Sequence, residues 1–109
     1  MATTITSPDT RVLDDTEKEV EPPYHLILLD DDAHSYAYVI GMMAAIFGYS
    51  RDKGFAIACI VDKDGRAIVM TGSKAEMELK QDAIHAYGAD PLMEISAGSM
   101  SAIIEPAPC

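Results

Sequence analysis

The sequence predicts one small domain that mixes strands and helices, preceded by an acidic tail. Three observations carry this reading: a nearly continuous apolar run at 24–29 (YHLILL), apolar residues at helical spacing between Tyr36 and Phe47, and a second apolar run at 66–71 (RAIVMT) that leads into another helix-like stretch. The 109 residues allow a single core and not two.

Met1 to Pro23 holds Thr, Ser, Pro, six acids and two bases, with too little apolar periodicity to bury a face, so residues 1–23 are expected to form a disordered acidic extension. Pro22 and Pro23 stop any helix and favour extended backbone, which places the domain at 24–109. Tyr24 to Leu29, bounded by prolines and acids, reads as a buried strand. Asp30 to Ser35 form a polar turn in which an Asp or Ser side chain caps a helix over 35–47, where Tyr36, Val39, Ile40, Met43, Ile46 and Phe47 recur at helical spacing and Gly48 gives the stop. From Arg51 to Thr71 the residues alone leave two readings open. GFAIACIV, DKDG and RAIVMT could be a hairpin, or Phe55, Ala58, Cys59 and Asp62 could lie on a short helix before the strand 66–71. Ser73 caps a further helix with an apolar stripe of Met77, Ile84 and Tyr87, its charged residues Glu76, Glu78, Lys80 and Asp82 mostly outward, and Gly88 ends it. Residues 91–95 and 100–104 are short extended candidates, and no internal repeat is visible.

Eighteen acids against eight bases give a net charge of −10. Such a chain repels phosphate backbones and anionic lipid, so neither nucleic acid nor membrane is an expected partner. With five Tyr, two Phe and no Trp, aliphatic residues and Met must fill the core. Cys59 lies inside an apolar run and Cys109 ends the chain without a prenylation pattern, so no disulfide framework or cysteine-based metal site is expected. No signal-peptide pattern and no run of membrane-span length occurs, which leads to a cytoplasmic expectation.

The densest polar feature is Asp30-Asp31-Asp32, after a strand and before a helix. Such acids serve as caps and solvated turn residues, or they hold something positive. A phospho-receiver site begins similarly, but the chain after Asp62 is too short and lacks the Lys-Pro dipeptide of such domains. A metal site built on the triplet and His34 lacks a spaced ligand set. The third possibility is a cation attached to an apolar group, with the carboxylates accepting from an ammonium beside a hydrophobic hole lined by Tyr36, Val39, Ala58 and Val61. A free peptide N-terminus with a bulky first side chain has that chemistry.

The segments PYHLILLDDDAHSYAYVIGMMAAIFGYS, GRAIVMT and ELKQDAIHAYGADP, in that order and spacing over about Pro23 to Pro91, resemble ClpS, the adaptor family of the ATP-dependent Clp protease. The stretch GSMSAIIEP is similar to the end of shorter ClpS-like sequences. The resemblance implies an α+β fold, a βααβαβ sandwich with a small antiparallel three-stranded sheet packed on three helices, and so makes the ambiguous segment a helix reaching about Asp62. It further implies a monomeric adaptor that performs no chemistry and needs no cofactor. Such an adaptor binds proteins through an N-terminal Leu, Phe, Tyr or Trp, the N-degron, and delivers them to an AAA+ unfoldase of ClpA or ClpC type.

By the same resemblance the α-amino group is held after the first strand and at the end of the second helix. Asp31 matches the family Asp, whereas Asp30 stands where Asn is usual and Asp62 where His is usual. Tyr36 and Ala58 occupy positions that are often Met, and Val39, Val61 and Leu92 suit the apolar lining. Glu78 and Lys80 match the face shown to the unfoldase, with Glu76 beside Ala75, where a Glu is usual. The added carboxylates imply salt-dependent binding. A paralogue of altered specificity, or a ribosomal-stalk-like binding module of the same fold type without N-degron recognition, is the competing reading.

Overall fold

A serine starts each of the three helices. In a computed structural model of the chain, which describes residues 22–31, 33–93 and 95–108, Ser35, Ser50 and Ser73 have extended backbone and precede α1 (Tyr36–Phe47), α2 (Arg51–Asp64) and α3 (Lys74–His85). Each Oγ accepts the amide N–H three residues on, from Tyr38, Lys53 and Glu76, at 3.1–3.2 Å, satisfying one of the helix's orphan donors. Gly48 and Gly65 close α1 and α2 at φ 71° and 84°, a left-handed turn that only glycine adopts without strain. The tail expected at 1–23 lies outside the described residues except for Pro22 and Pro23, as do Asp32 and Cys109.

Strands β1 (Tyr24–Leu29), β2 (Arg66–Gly72) and β3 (Ala102–Pro106) complete the order βααβαβ. They form one antiparallel sheet, β2-β1-β3. The open segment is therefore a helix and then a strand. Gly54, Ile57, Ala58 and Val61 are its buried positions, one apolar stripe at helical spacing. The β1–β2 register shifts between Leu26 and Ile27, leaving Val69 as the extra residue. The Val69 carbonyl accepts the Tyr49 hydroxyl at 2.6 Å, which pins the α1–α2 link to the sheet.

Leu26 and Leu28 on β1 pack with Val39, Met42, Met43, Val61, Met77 and Ile84 in a single core. Met42, Met43 and Met77 are fully buried, the unbranched filling that a tryptophan-free composition calls for. Helices α1 and α2 approach closely because position 54 has no side chain: a Cβ there would lie 3.1 Å from Ile40 Cα. At the far edge α3 holds the start of β3, since Gln81 Nε2 donates to the Ala102 carbonyl at 2.8 Å and the Ala102 amide donates to His85 Nε2 at 3.1 Å. Among the described residues no helix is long and apolar enough to cross a membrane.

Three expectations need correction. Of the stretch expected to be extended at 91–95, the described residues 91–93 and 95 are not: the Asp90 carboxylate accepts the Leu92 amide and its carbonyl the Met93 amide, and Ser96 N–H reaches the Met93 carbonyl, so local hydrogen bonds turn the chain here. The last strand runs over Ala102–Pro106, two residues beyond the expected 100–104. Helix α3 ends at His85 with Ala86 as its cap, so Tyr87 falls outside the stripe assigned to it and packs edge-on against Tyr38 with ring centroids 5.3 Å apart; Gly88, at φ 108°, turns the chain after the helix has already ended.

Candidate functional site

Where β1 ends, two backbone bonds fix the following turn. Leu29 N–H donates to the Ser101 carbonyl and Asp30 N–H to the Gly65 carbonyl, both at 3.0 Å. The turn is thereby held between the residues leading into β3 and the end of α2. Tyr36 and Val39, three apart on α1, and Ala58, Val61 and Asp62 on the last two turns of α2 each share a helix face. Together these segments enclose a cavity of about 180 Å³. Its carboxylates are Asp30, Asp31 and Asp62, its apolar wall is Val39, Ala58, Val61 and Met100, and His34, Ser35 and Tyr36 complete the lining.

Seven of the expected site residues thus converge: Asp30, Asp31, Asp62, Tyr36, Val39, Ala58 and Val61. Leu92 does not join them. It is 70% exposed and lines a separate hollow with Ala37, Tyr38, Tyr87 and Pro91, because Asp90 ties its turn to the Ser35 amide. Of the charges expected to face an unfoldase, Glu76 and Glu78 are exposed on α3. Lys80 is half-buried, and its Nζ donates to the Ile46 carbonyl at 3.0 Å, above the Phe47 ring. It thereby satisfies a terminal carbonyl of α1.

The polar groups of the cavity are ordered by short contacts. Asp31 Oδ1 accepts the Ala33 amide at 2.9 Å and lies 2.6 Å from His34 Nδ1. The other ring nitrogen of His34 lies 2.7 Å from the Gly98 carbonyl, and its ring packs at 4.5 Å against Tyr38. His34 thus links the acidic turn to the chain that precedes β3; among the described residues no cluster of His, Cys, Asp and Glu forms a metal-holding group. Tyr36 donates its hydroxyl to Asp62 Oδ2 at 2.7 Å. That bond first, with burial and the Asp62 charge adding to it, pushes the Tyr36 hydroxyl pKa up to about 12, since ionising it would set two negative oxygens side by side.

Sequence reasoning missed His34, Ser35 and Met100 as lining. The first two could have been found from the D-x-x-H-S spacing, which puts both side chains on the capping turn. Met100 could not, because only the pairing of β3 with β1 brings it there.

An acidic mouth over an apolar hole of one side chain's size suits a small cation with a hydrophobic arm. Comparison with known proteins agrees with the fold and locates the family. The profile described as ATP-dependent Clp protease adaptor protein ClpS matches residues 19–93. The ClpS adapter protein of Streptomyces coelicolor is 37% identical over 70 residues, covering 64% of this chain and 73% of that one. The E3 ubiquitin-protein ligase ubr-1 of Caenorhabditis elegans is 33% identical over 69 residues, 62% of this chain but 3% of that much longer protein. A solved structure of Agrobacterium tumefaciens ClpS2 bound to L-phenylalaninamide superposes with a TM-score of 0.69 at 22% identity, over 79% of this chain and 98% of that one. The profile match spans most of the domain, and the chain belongs to the ClpS family of Clp protease adaptor proteins.

Proposed function

We propose that this protein is an N-degron adaptor: it binds polypeptides through a free α-amine and a bulky hydrophobic first side chain, and passes them to an AAA+ unfoldase of the Clp protease. The observation that carries the reading is the convergence of Asp30, Asp31 and Asp62 on a cavity whose wall is Val39, Ala58, Val61 and Met100. A hole of about 150 Å³ lined by apolar side chains holds one benzene, so a cavity of about 180 Å³ has room for one Leu or Phe side chain and little more. Burying that side chain contributes about 1.5–3 kcal/mol, and each charge-assisted hydrogen bond from the ammonium a further ~1.5–3 kcal/mol. Two or three such bonds offset the association cost and give an affinity on the order of micromolar.

The bound molecule of the ClpS2 structure, L-phenylalaninamide, has the same two features, an α-amine and a phenyl arm, which supports assigning that chemistry here. The segment is shared by Clp adapters and a ubiquitin-protein ligase, which supports placing recognition, rather than any later step, in this domain. For delivery, the exposed Glu76 and Glu78 of α3 offer the unfoldase an acidic surface, and the acidic segment before Pro22 supplies a handle for it. The reaction needs no bond made or broken by the adaptor. Titrating L-phenylalaninamide into the labelled protein should shift the amide resonances of Asp31, Val39 and Val61 and leave those of α3 in place. Shifts confined to other surfaces, or none at millimolar ligand, would overturn the assignment.

A further inference from the structure

His34 is held at both ring nitrogens and on one face. Its side chain is 3% exposed. Nδ1 lies 2.6 Å from Asp31 Oδ1, Nε2 lies 2.7 Å from the Gly98 carbonyl and 3.2 Å from Ser96 Oγ, and the ring packs against the buried Tyr38. An ionised carboxylate only accepts, so the bond to Asp31 requires a proton on Nδ1. The Ala33 amide also donates to Asp31 Oδ1, at 2.9 Å, but that bond closes within the turn, and a backbone N–H is present there whatever the side chain at 33. His34 does something else: it ties Asp31 to Gly98, 64 residues beyond the histidine. Met100, two residues past Gly98, belongs to the apolar wall of the cavity, and Asp31 belongs to its acidic mouth. The imidazole therefore spans the interval between the mouth and the segment that carries part of the wall. Both bonds of Asp31 to described residues fall on Oδ1, and a carboxylate held by one oxygen keeps the lone pairs of the other for a donor.

Resting on the amine-binding reading above, we propose that His34 is a positioning residue for Asp31: its imidazole fixes the carboxylate relative to the Met100 wall, so that one peptide N-terminus meets both at once. Without the ring, Asp31 keeps only its bond within the turn and samples other staggered rotamers. An arriving ammonium must then order it, and immobilising a side chain on binding costs about three- to tenfold in affinity. The competing role is structural. Asp90 accepts the Ser35 amide, and its own amide donates to Ser96 Oγ at 2.8 Å, so a purely structural His34 would do no more than seat Ser96 and Gly98 beside that clamp. The two ring nitrogens separate the roles, because Nδ1 meets Asp31 and Nε2 meets Ser96 and Gly98.

The test gives each ring nitrogen its own variant. In His34→Asn the side-chain amide nitrogen falls near the place of Nδ1, in His34→Gln it falls near that of Nε2, and His34→Ala has neither donor. Anisotropy titrations with a peptide that starts with Leu and with its N-acetylated twin, beside a thermal melt of each variant, read binding and stability separately. H34A should bind the free peptide about three- to tenfold more weakly and leave the acetylated one unmoved, so the penalty for capping the amine shrinks by that factor. H34N should restore most of the penalty while recovering little of the melting temperature, and H34Q should do the opposite. A penalty that H34Q restores and H34N does not, or that follows the melting temperature across all three variants, overturns the positioning role and leaves His34 structural. A second readout needs no peptide: long-range proton–nitrogen spectra of the wild-type imidazoles, with His34 assigned by its loss in H34N, should show a proton on Nδ1, and an Nδ1 without one overturns the proposal. An intact capping penalty in wild type that H34A leaves unmoved sinks the positioning role alone, whereas equal binding of free and acetylated peptides by wild type sinks the amine reading with it.

Discussion

Two acid-bearing loops flank the start of α1, and they use their carboxylates in opposite ways. Asp31, after β1, is 40% exposed, and its two bonds to described residues fall on one oxygen, Oδ1. Asp90, beyond α3, is 2% exposed and spends both oxygens on backbone: Oδ2 accepts the Ser35 amide at 2.6 Å and Oδ1 the Leu92 amide at 2.8 Å. Burial alone would raise the Asp90 pKa, but the amides of Ser35 and Leu92 and the Ser35 hydroxyl outweigh it and hold the carboxyl below its ordinary value. A buried, fully engaged carboxylate fixes a loop, and a carboxylate left at the rim of a cavity keeps capacity for a ligand.

That contrast is sharpest in paired substitutions. Asp31→Ala should cost up to ~100-fold in affinity for a peptide with a free Phe or Leu N-terminus, the loss of one or more charge-assisted bonds, with a smaller loss of stability than at Asp90, since the Ala33 amide and the His34 ring lose one shared acceptor oxygen; calorimetric titration beside a thermal melt reads both. Asp90→Ala should chiefly lower stability, by about 2 kcal/mol, because two part-buried amides lose their acceptor, as measured by urea unfolding. The pH dependence follows from the same residue. Its folded pKa lies below the unfolded value of about 3.9, so its contribution is complete above that value and is lost as pH falls through the folded pKa. In Asp90→Asn the acid limb of the stability curve should flatten, and a limb identical to wild type would break the contrast.

Smaller effects probe the frame that brings the cavity walls together. Gly54→Ala should destabilise by about 1 kcal/mol although alanine is the better helix former by about that much, because the new methyl meets Ile40 backbone at 3.1 Å and backbone does not give way; a stability gain on thermal unfolding would show that α1 and α2 are less tightly apposed. The smallest effect is ionic. Peptide affinity should fall about threefold between 0.1 M and 1 M salt as the screening length shrinks from about 10 Å to 3 Å, and a curve flat with salt would remove the acidic mouth from the account.

Much of this was legible in the chain. Tyr24–Leu29 is apolar and bracketed by prolines and acids, and Ser73 and Gly48 announce helix ends. The triplet at 30–32 stands out because three adjacent acids need a reason. The segment 51–64 was ambiguous to periodicity, yet Ser50 and Gly65 bracket it as N-cap and left-handed stop, a signal stronger than the hairpin turn that DKDG suggested. Other features were not legible because they arise only from long-range pairing. Asp90 looks like one more turn acid in GADP until its bond to Ser35, 55 residues away, is seen. The same bond sends Leu92 to the Tyr38 side of α1 and out of the cavity, and the Tyr36–Asp62 contact spans 26 residues without a local pattern to mark it.

If the acidic rim grips a free amine, capping that amine must remove most of the binding. Fluorescence anisotropy of a labelled peptide beginning with Phe, titrated with the full chain next to its N-acetylated twin, tests it most directly. The free peptide should saturate in the micromolar range and the capped one bind at least ~100-fold more weakly. Equal affinity for both peptides would contradict it.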